Sequence, residues 1–325
     1  MRRALVVGIN DYPGAQLLGC VNDANSIASV LETHSDGSPN FSVKLITKPG
    51  AEITRSSLKE AVESLFAGEC DIALLYFSGH GVITSTGGYV VTPDYKKYDE
   101  GISMHDILTL ANKSKAKDKV ILLDCCHSGA FGTPTISDSN VAQIAEGISV
   151  LTASRDSESA MEINGSGVFT SLVVHALQGG ASDLRGHITP GGIYSYVDQA
   201  LGAWDQRPIF KTNVTRFTSL RTITPPVSLA TLRRICEYFP NPEDEHKLDP
   251  SYEFTNSKSI ENPVIEPYAN PENVLIFKDL QKFESVGLVT PVDEEHMYFA
   301  AMNSKSCRLT ALGYQYWRLV KEKKI

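Results

Sequence analysis

Short apolar runs and helically spaced apolar positions alternate along the first two-thirds of the chain. Residues 4–9 (ALVVGI) form a near-continuous apolar run, as expected of a strand buried on both faces of a parallel sheet. A loop with Pro13 and two glycines follows, and then residues 20–32 place Val21, Ala24, Ile27, Ala28 and Leu31 at helical spacing. The same reading predicts strands over 41–47, 71–78, 120–126 and 148–153. It predicts helices over 56–66 after a Thr54 cap, and over 106–111, 168–178 and 191–201, with 214–220 closing the sheet. Strand and helix in this order predict an α/β domain: a mostly parallel sheet covered on both faces.

Pro225 and Pro226 end that rhythm, so the boundary is expected near 222–227, with one domain over 1–222 and a smaller one over 223–325. The second part reads as a helix over 229–239, a Pro-, Asn- and Glu-rich loop to residue 271, and a helix over 274–286 stopped by Gly287. Two β-like stretches, 288–292 and 297–301, a short segment at 308–310 and a helix over 311–321 follow. Helix, hairpin, helix is a winged-helix-like order in a small α+β domain.

Two of the apolar runs end in chemically active residues: VILLDCCHSGAF at 120–131 and DIALLYFSGHG at 71–81. In an open α/β sheet, ligands bind in the crevice at the carboxyl ends of strands, so one site is expected from both tips. Side chains alternate along a strand, which puts Asp124 and Cys126 on one face and Cys125 on the other. Cys126 is therefore the candidate nucleophile and Cys125 a packing residue. The same period sets Ser78 beside His80.

YFSGHG at 76–81 with DCCHSGAFG at 124–132 resembles the histidine and cysteine motifs of the caspase-like cysteine peptidases, most of all the metacaspase branch. GCVNDA at 19–24 and the stretch 151–177 match as well, so the resemblance covers about residues 1–222. It implies a caspase-like three-layer sandwich in which Cys126 attacks a scissile carbonyl and His80 handles protons. The chemistry agrees: a thiolate is the attacking form, a free thiol is mostly protonated at neutral pH, and an imidazole neighbour removes the proton. Backbone N–H groups of Gly81 and Cys126 would hold the oxyanion. The resemblance further implies that Asp23, Asp124, Cys20 and Ser78 line the pocket for the residue before the cut. Two carboxylates there favour arginine or lysine. The other reading of Asp23 is a helix N-cap.

Many metacaspases need calcium, bound through acidic residues after the histidine motif. Here the loop expected over 81–101 offers only Asp94, Asp99 and Glu100, diluted by Lys96 and Lys97, so no metal or other cofactor is expected. No lysine or arginine lies between Lys119 and Arg155, so an Arg/Lys-specific enzyme is expected to stay in one chain.

Composition narrows the partners. A formal charge of -8 disfavours nucleic acid, and residues 226–325 hold 12 Lys plus Arg against 15 Asp plus Glu. The second domain is therefore expected to dock a protein regulator or upstream activator. No stretch approaches the roughly 18 apolar residues of a membrane span, MRRALVVGIN reads as a first strand, and scattered cysteines suit a reduced compartment, so a cytoplasmic protein is expected. The competing readings are an adaptor that keeps the fold as a scaffold, which intact His80 and Cys126 disfavour, and a nucleic-acid-binding regulator acting through the second domain.

Overall fold

The computed structural model describes residues 1–49, 52–125, 144–153, 162–163, 165–201, 207–259 and 264–325, which fall into two compact units, Met1–Thr224 and Pro225–Ile325. In the first unit the strands are β1 (Arg2–Gly8), β2 (Ser42–Ile46), β3 (Ile72–Ser78), β4 (Gly81–Thr84), β5 (Gly87–Lys96), β6 (Asp99–Ser103), β7 (Asp118–Asp124) and β8 (Ile148–Thr152). Then come the short β9 (Glu162–Ile163), β10 (Ser166–Gly167) and β11 (His187–Ile188), followed by β12 (Ile209–Asn213) and β13 (Arg221–Thr222). The helices are α1 (Cys20–Glu32), α2 (Arg55–Phe66), α3 (Met104–Lys113), α4 (Val168–His175) and α5 (Pro190–Ala200).

The central sheet runs β12-β8-β7-β3-β1-β2, parallel except for the antiparallel edge strand β12. All seven residues of β3 are buried, which is why β3 reads as an unbroken apolar run rather than an alternating one. Alternate side chains of each strand feed two separate cores. On one face Leu75, Phe77, Ile121 and Leu123 pack with Leu58 and Val62 of α2 and Ile107 of α3. On the other, Leu74, Tyr76, Val120 and Leu122 pack with Ile27 of α1, Phe169 and Val173 of α4, and Ile193 of α5. Helix, sheet, helix is the three-layer arrangement expected for 1–222.

The local signals hold where they have a specific cause. Thr54 caps α2, accepting from Ser57 N at 3.2 Å while Thr54 N donates to Ser57 Oγ at 3.0 Å. Two expectations for this unit are corrected. Residues 214–220 do not close the sheet; Ile209–Asn213 pair with all five residues of β8 and leave that edge no further partner. Residues 81–101 are not a loop, because β4, β5 and β6 form a separate three-stranded antiparallel sheet there.

The second unit holds α6 (Leu229–Arg233), α7 (Ile235–Tyr238), β14 (Glu245–Lys247), α8 (Pro271–Ser285), β15 (Val289–Val292), α9 (Met297–Met302), β16 (Ser306–Leu309) and α10 (Ala311–Lys321). Its sheet is β14-β16-β15, antiparallel. Residues 297–301 are helix, not strand: Met297, Ala300 and Ala301 are buried at i, i+3 and i+4. The expected hairpin is therefore interrupted by a helix, and a third strand joins it, so the order departs from helix, hairpin, helix. Arg234 divides the expected 229–239 helix in two. Asp279 on α8, itself buried, is paired with Arg234 and accepts from Tyr238 Oη at 2.7 Å.

Candidate active site

Parallel pairing sets Ser78 at the end of β3 level with Asp124 at the end of β7 and Gly8 at the end of β1. The three strand tips therefore lie side by side at the carboxyl edge of the sheet. Asp124 belongs to the face covered by α1 and α4, whereas Cys125 turns into the opposite core and is fully buried. The alternation read from the sequence holds to this point. Cys126 and residues up to 143 lie outside the described residues, so the placement of the candidate nucleophile and of its backbone N–H is not described.

Past Ser78 the alternation lapses. Ser78 Oγ donates to Asp23 Oδ2 at 3.4 Å, while His80 leans on Tyr12, a member of the opposite core, with ring centroids 4.6 Å apart in an edge-on contact. Ser78 and His80 are thus not paired as the sequence period predicts; the strand ends at Ser78 and the chain turns at Gly79. A Cβ on Gly79 would lie 2.4 Å from Tyr12 Oη, so only glycine lets the chain pass the tyrosine.

Two contacts fix His80. Its Nε2 lies 2.7 Å from the carbonyl oxygen of Ala15, and its backbone N donates to Tyr12 Oη at 3.2 Å. Since a carbonyl only accepts, Nε2 carries the proton and Nδ1 presents the lone pair in the neutral ring. Tyr12 in turn donates to Val91 O at 3.2 Å, and burial raises its pKa far above the usual phenol value, so it stays a donor. His80 O accepts from Val91 N at 2.9 Å, which ties the histidine to β5 through Val91, just outside the β4-β5 register, and Gly81 opens β4.

The two acids meet over the start of α4. Asp23, one turn into α1, accepts Gly167 N with both oxygens, at 3.2 and 3.0 Å. It is not an N-cap: Gly19 holds that position and no side chain caps the helix. Asp124 Oδ2 accepts Thr170 Oγ1 at 2.6 Å and Thr170 N at 3.3 Å. Thr170 Oγ1 lies 2.6 Å from Tyr76 Oη, whose pKa is pushed well above its usual value by burial and then by Asp124 and Asp23. Cys20, also buried, opens α1 one turn before Asp23. Asp23, Asp124 and Ser78 are thus brought together in one buried cluster at the strand tips, with Cys20 at the head of the helix that carries Asp23.

The acids of residues 81–101 are engaged with neighbouring groups. Asp94 accepts Arg55 N at 3.0 and 3.1 Å, at the amino end of α2, and Thr92 Oγ1 at 2.7 Å; Asp99 pairs with the Arg55 guanidinium; Glu100 accepts Tyr98 N at 2.9 Å. Hard cations want several oxygens converging on one point, and these donors do not fit that need. Among the described residues no group of three or more His, Cys, Asp or Glu is placed to hold a metal.

Tyr12, Ala15, Gly167 and Thr170 escaped the sequence reading. Gly79 carried the one available hint, since a glycine beside a candidate histidine marks a close approach.

A family model described as "Caspase domain" matches residues 1–217. Metacaspase-1 of Candida glabrata is 31% identical over 147 residues, 39% of this chain and 37% of that protein. Metacaspase-1 of Saccharomyces cerevisiae is 30% identical over 147 residues, 39% of this chain and 33% of that protein. The chain thus spans about a third of the length of the curated relatives it matches. A solved structure of a Geobacter sulfurreducens protein shares the fold at a TM-score of 0.51 and 17% identity, covering 69% of this chain and 100% of its own.

Proposed function

The chain belongs to the caspase-domain family, and from that premise we propose that it is a cysteine endopeptidase cutting proteins after arginine or lysine. The observation that carries the specificity is the buried pair Asp23 and Asp124, converging at the strand tips beside the loop of His80. Carboxylates held there by N–H and O–H donors favour a cationic side chain, and they repel an aspartate.

In the proposed reaction His80 Nδ1 takes the Cys126 proton, and the thiolate attacks the scissile carbonyl carbon. An S–C bond forms, and the oxyanion is held by the N–H groups of Gly81 and Cys126. Collapse breaks the C–N bond, with the proton on His80 passing to the leaving amine; water then hydrolyses the thioester with His80 again as base. The Ala15 carbonyl supports this assignment by holding the tautomer and steadying the imidazolium. The test is a pair of fluorogenic peptides differing only before the cut: the arginine peptide is expected to be cleaved and the aspartate peptide not, and faster cleavage after aspartate would overturn the pocket.

We assign no metal to this chemistry. Activity is expected to stay within about twofold when calcium is removed with a chelator, as the engaged state of Asp94 and Asp99 implies. A large loss restored by added calcium would contradict this.

The active form is proposed to be a single chain. Lys119, the last basic residue before the segment, is buried in β7, and its Nζ donates to Glu146 O at 2.9 Å. Residues 144–147 are further tied by Asn213 Nδ2 to Ile144 O at 2.9 Å and by Asn112 Oδ1 to Ala145 N at 3.0 Å. One band is therefore expected on a denaturing gel of active protein. Two fragments joining at 130–147, absent from Cys126→Ala, would contradict it. Control is proposed to lie in Pro225–Ile325, through a docked protein regulator, in the cytoplasm.

A further inference from the structure

We infer that Thr170, Tyr76 and Gly167 are positioning residues for the two pocket carboxylates, so that the amino end of α4 sets how well the site grips arginine relative to lysine. This rests on the reading of Asp23 and Asp124 as the specificity pocket.

The direction of the hydrogen bonds is fixed by what each group can give. An ionised carboxylate only accepts, so the single Thr170 hydroxyl proton goes to Asp124 Oδ2, 2.6 Å away. Thr170 Oγ1 then has only lone pairs left for Tyr76, which must donate across their 2.6 Å contact. The chain runs one way, Tyr76 to Thr170 to Asp124, through residues that are 0%, 1% and 5% exposed. Water does not compete at such burial, so the donors orient the carboxylate rather than merely touching it. The Thr170 amide meets the same oxygen at 3.3 Å, which leaves Oδ2 committed to α4.

Asp23 is held by the same stretch, through Gly167 N to both of its oxygens. Gly167 has φ -64 and ψ 134, which any residue adopts, so its small size is needed for space and not for backbone freedom. A Cβ there would lie 2.2 Å from Asp124 Oδ2 and 3.1 Å from Asp23 Oδ2. The chain therefore passes between the two acids at closest approach, holding one through an amide and the other through Thr170 three residues on. One rigid turn sets the angle between the carboxylates.

That angle matters unequally to the two basic side chains. Guanidinium is a planar fork whose donors need acceptors in fixed directions, whereas an ammonium is a compact charge with rotatable donors. Loosening Asp124 while keeping its charge should weaken arginine more than lysine.

The test is steady-state kinetics of the full chain, wild type and variants, on matched arginine and lysine reporters. Thr170→Val keeps the shape and deletes the proton given to Asp124. The KM for arginine is expected to rise about tenfold and for lysine about threefold, with kcat changed less than about twofold, the mark of lost ground-state and transition-state binding alike. Thr170→Ser, which restores the hydroxyl, is expected to return both KM values to within about threefold of wild type. Tyr76→Phe, a milder change, should shift KM in the same direction by a smaller factor, and it keeps the inference testable if the valine variant does not fold. Unchanged KM values in Thr170→Val and Tyr76→Phe would overturn the inference, as would equal kcat losses in the valine and serine variants. A wild type that cleaves neither reporter would instead overturn the reading of the pocket on which the inference rests.

Discussion

Replacing Cys126 by alanine is expected to lower kcat/KM by at least about 10⁴-fold, since nucleophile and base act as a unit and losing either removes most of the chemistry. No neighbouring thiol can take over. Cys125, just past the end of β7, turns into the core and is fully buried, on the face opposite Asp124. Cys20 sits buried at the head of α1, the helix that carries Asp23. His80 would remain in place, held by Ala15 and Tyr12 through contacts that do not involve Cys126. The variant should therefore keep its melting temperature within a few degrees while losing activity, and a thermal melt run beside the assay checks both. Activity within tenfold of wild type would place the attacking group elsewhere.

Asp124→Asn carries the second large effect. Asparagine keeps the volume, and its carbonyl oxygen can still accept from Thr170, so the fold is expected to stand. What disappears is the negative charge that the proposed pocket sets against the substrate. A hydrogen bond to a charged partner contributes about 1.5–3 kcal/mol, so kcat/KM for arginine peptides should fall by roughly 10–150-fold from that loss alone. The amide nitrogen adds a donor where the guanidinium also brings donors, which pushes the loss towards the upper end. Asp23→Asn should act in the same direction, because Asp23 shares the cluster with Ser78 and Gly167. An Asp124→Asn enzyme that cleaves arginine peptides at the wild-type rate would remove Asp124 from the pocket.

The sequence was most informative where burial is two-sided. β1, β3, β7 and β8 read as apolar runs because both faces of the sheet are covered, and α1 was legible from the spacing of Ala24, Ile27, Ala28 and Leu31. At the sheet's edge the signal weakens: β12 offers Ile209 and Phe210 followed by polar residues, so the strand was expected a few residues too late. β4, β5 and β6 were read as loop because their glycines, threonines and charges obscured an alternation that only pairing makes visible. In the second unit Tyr298 and Phe299 suggested strand, although the buried positions are spaced for a helix.

The candidate site divides in the same way. Asp124, Ser78 and His80 were found because they end apolar runs, and Asp23 came from the resemblance. The partners that orient them were not legible, since Gly167 lies 144 residues from Asp23 and Thr170 lies 46 from Asp124. Nor could a strand period describe His80, whose direction is set by Gly79, Tyr12 and Ala15 once the strand has ended.

The most direct measurement is a peptide library varied at the residue before the cut, digested by wild type and by Cys126→Ala and read by mass spectrometry. Cleavage after arginine and lysine by wild type, with none by Cys126→Ala, is the predicted result. Cuts after aspartate or apolar residues, or the same cuts surviving in Cys126→Ala, would contradict it.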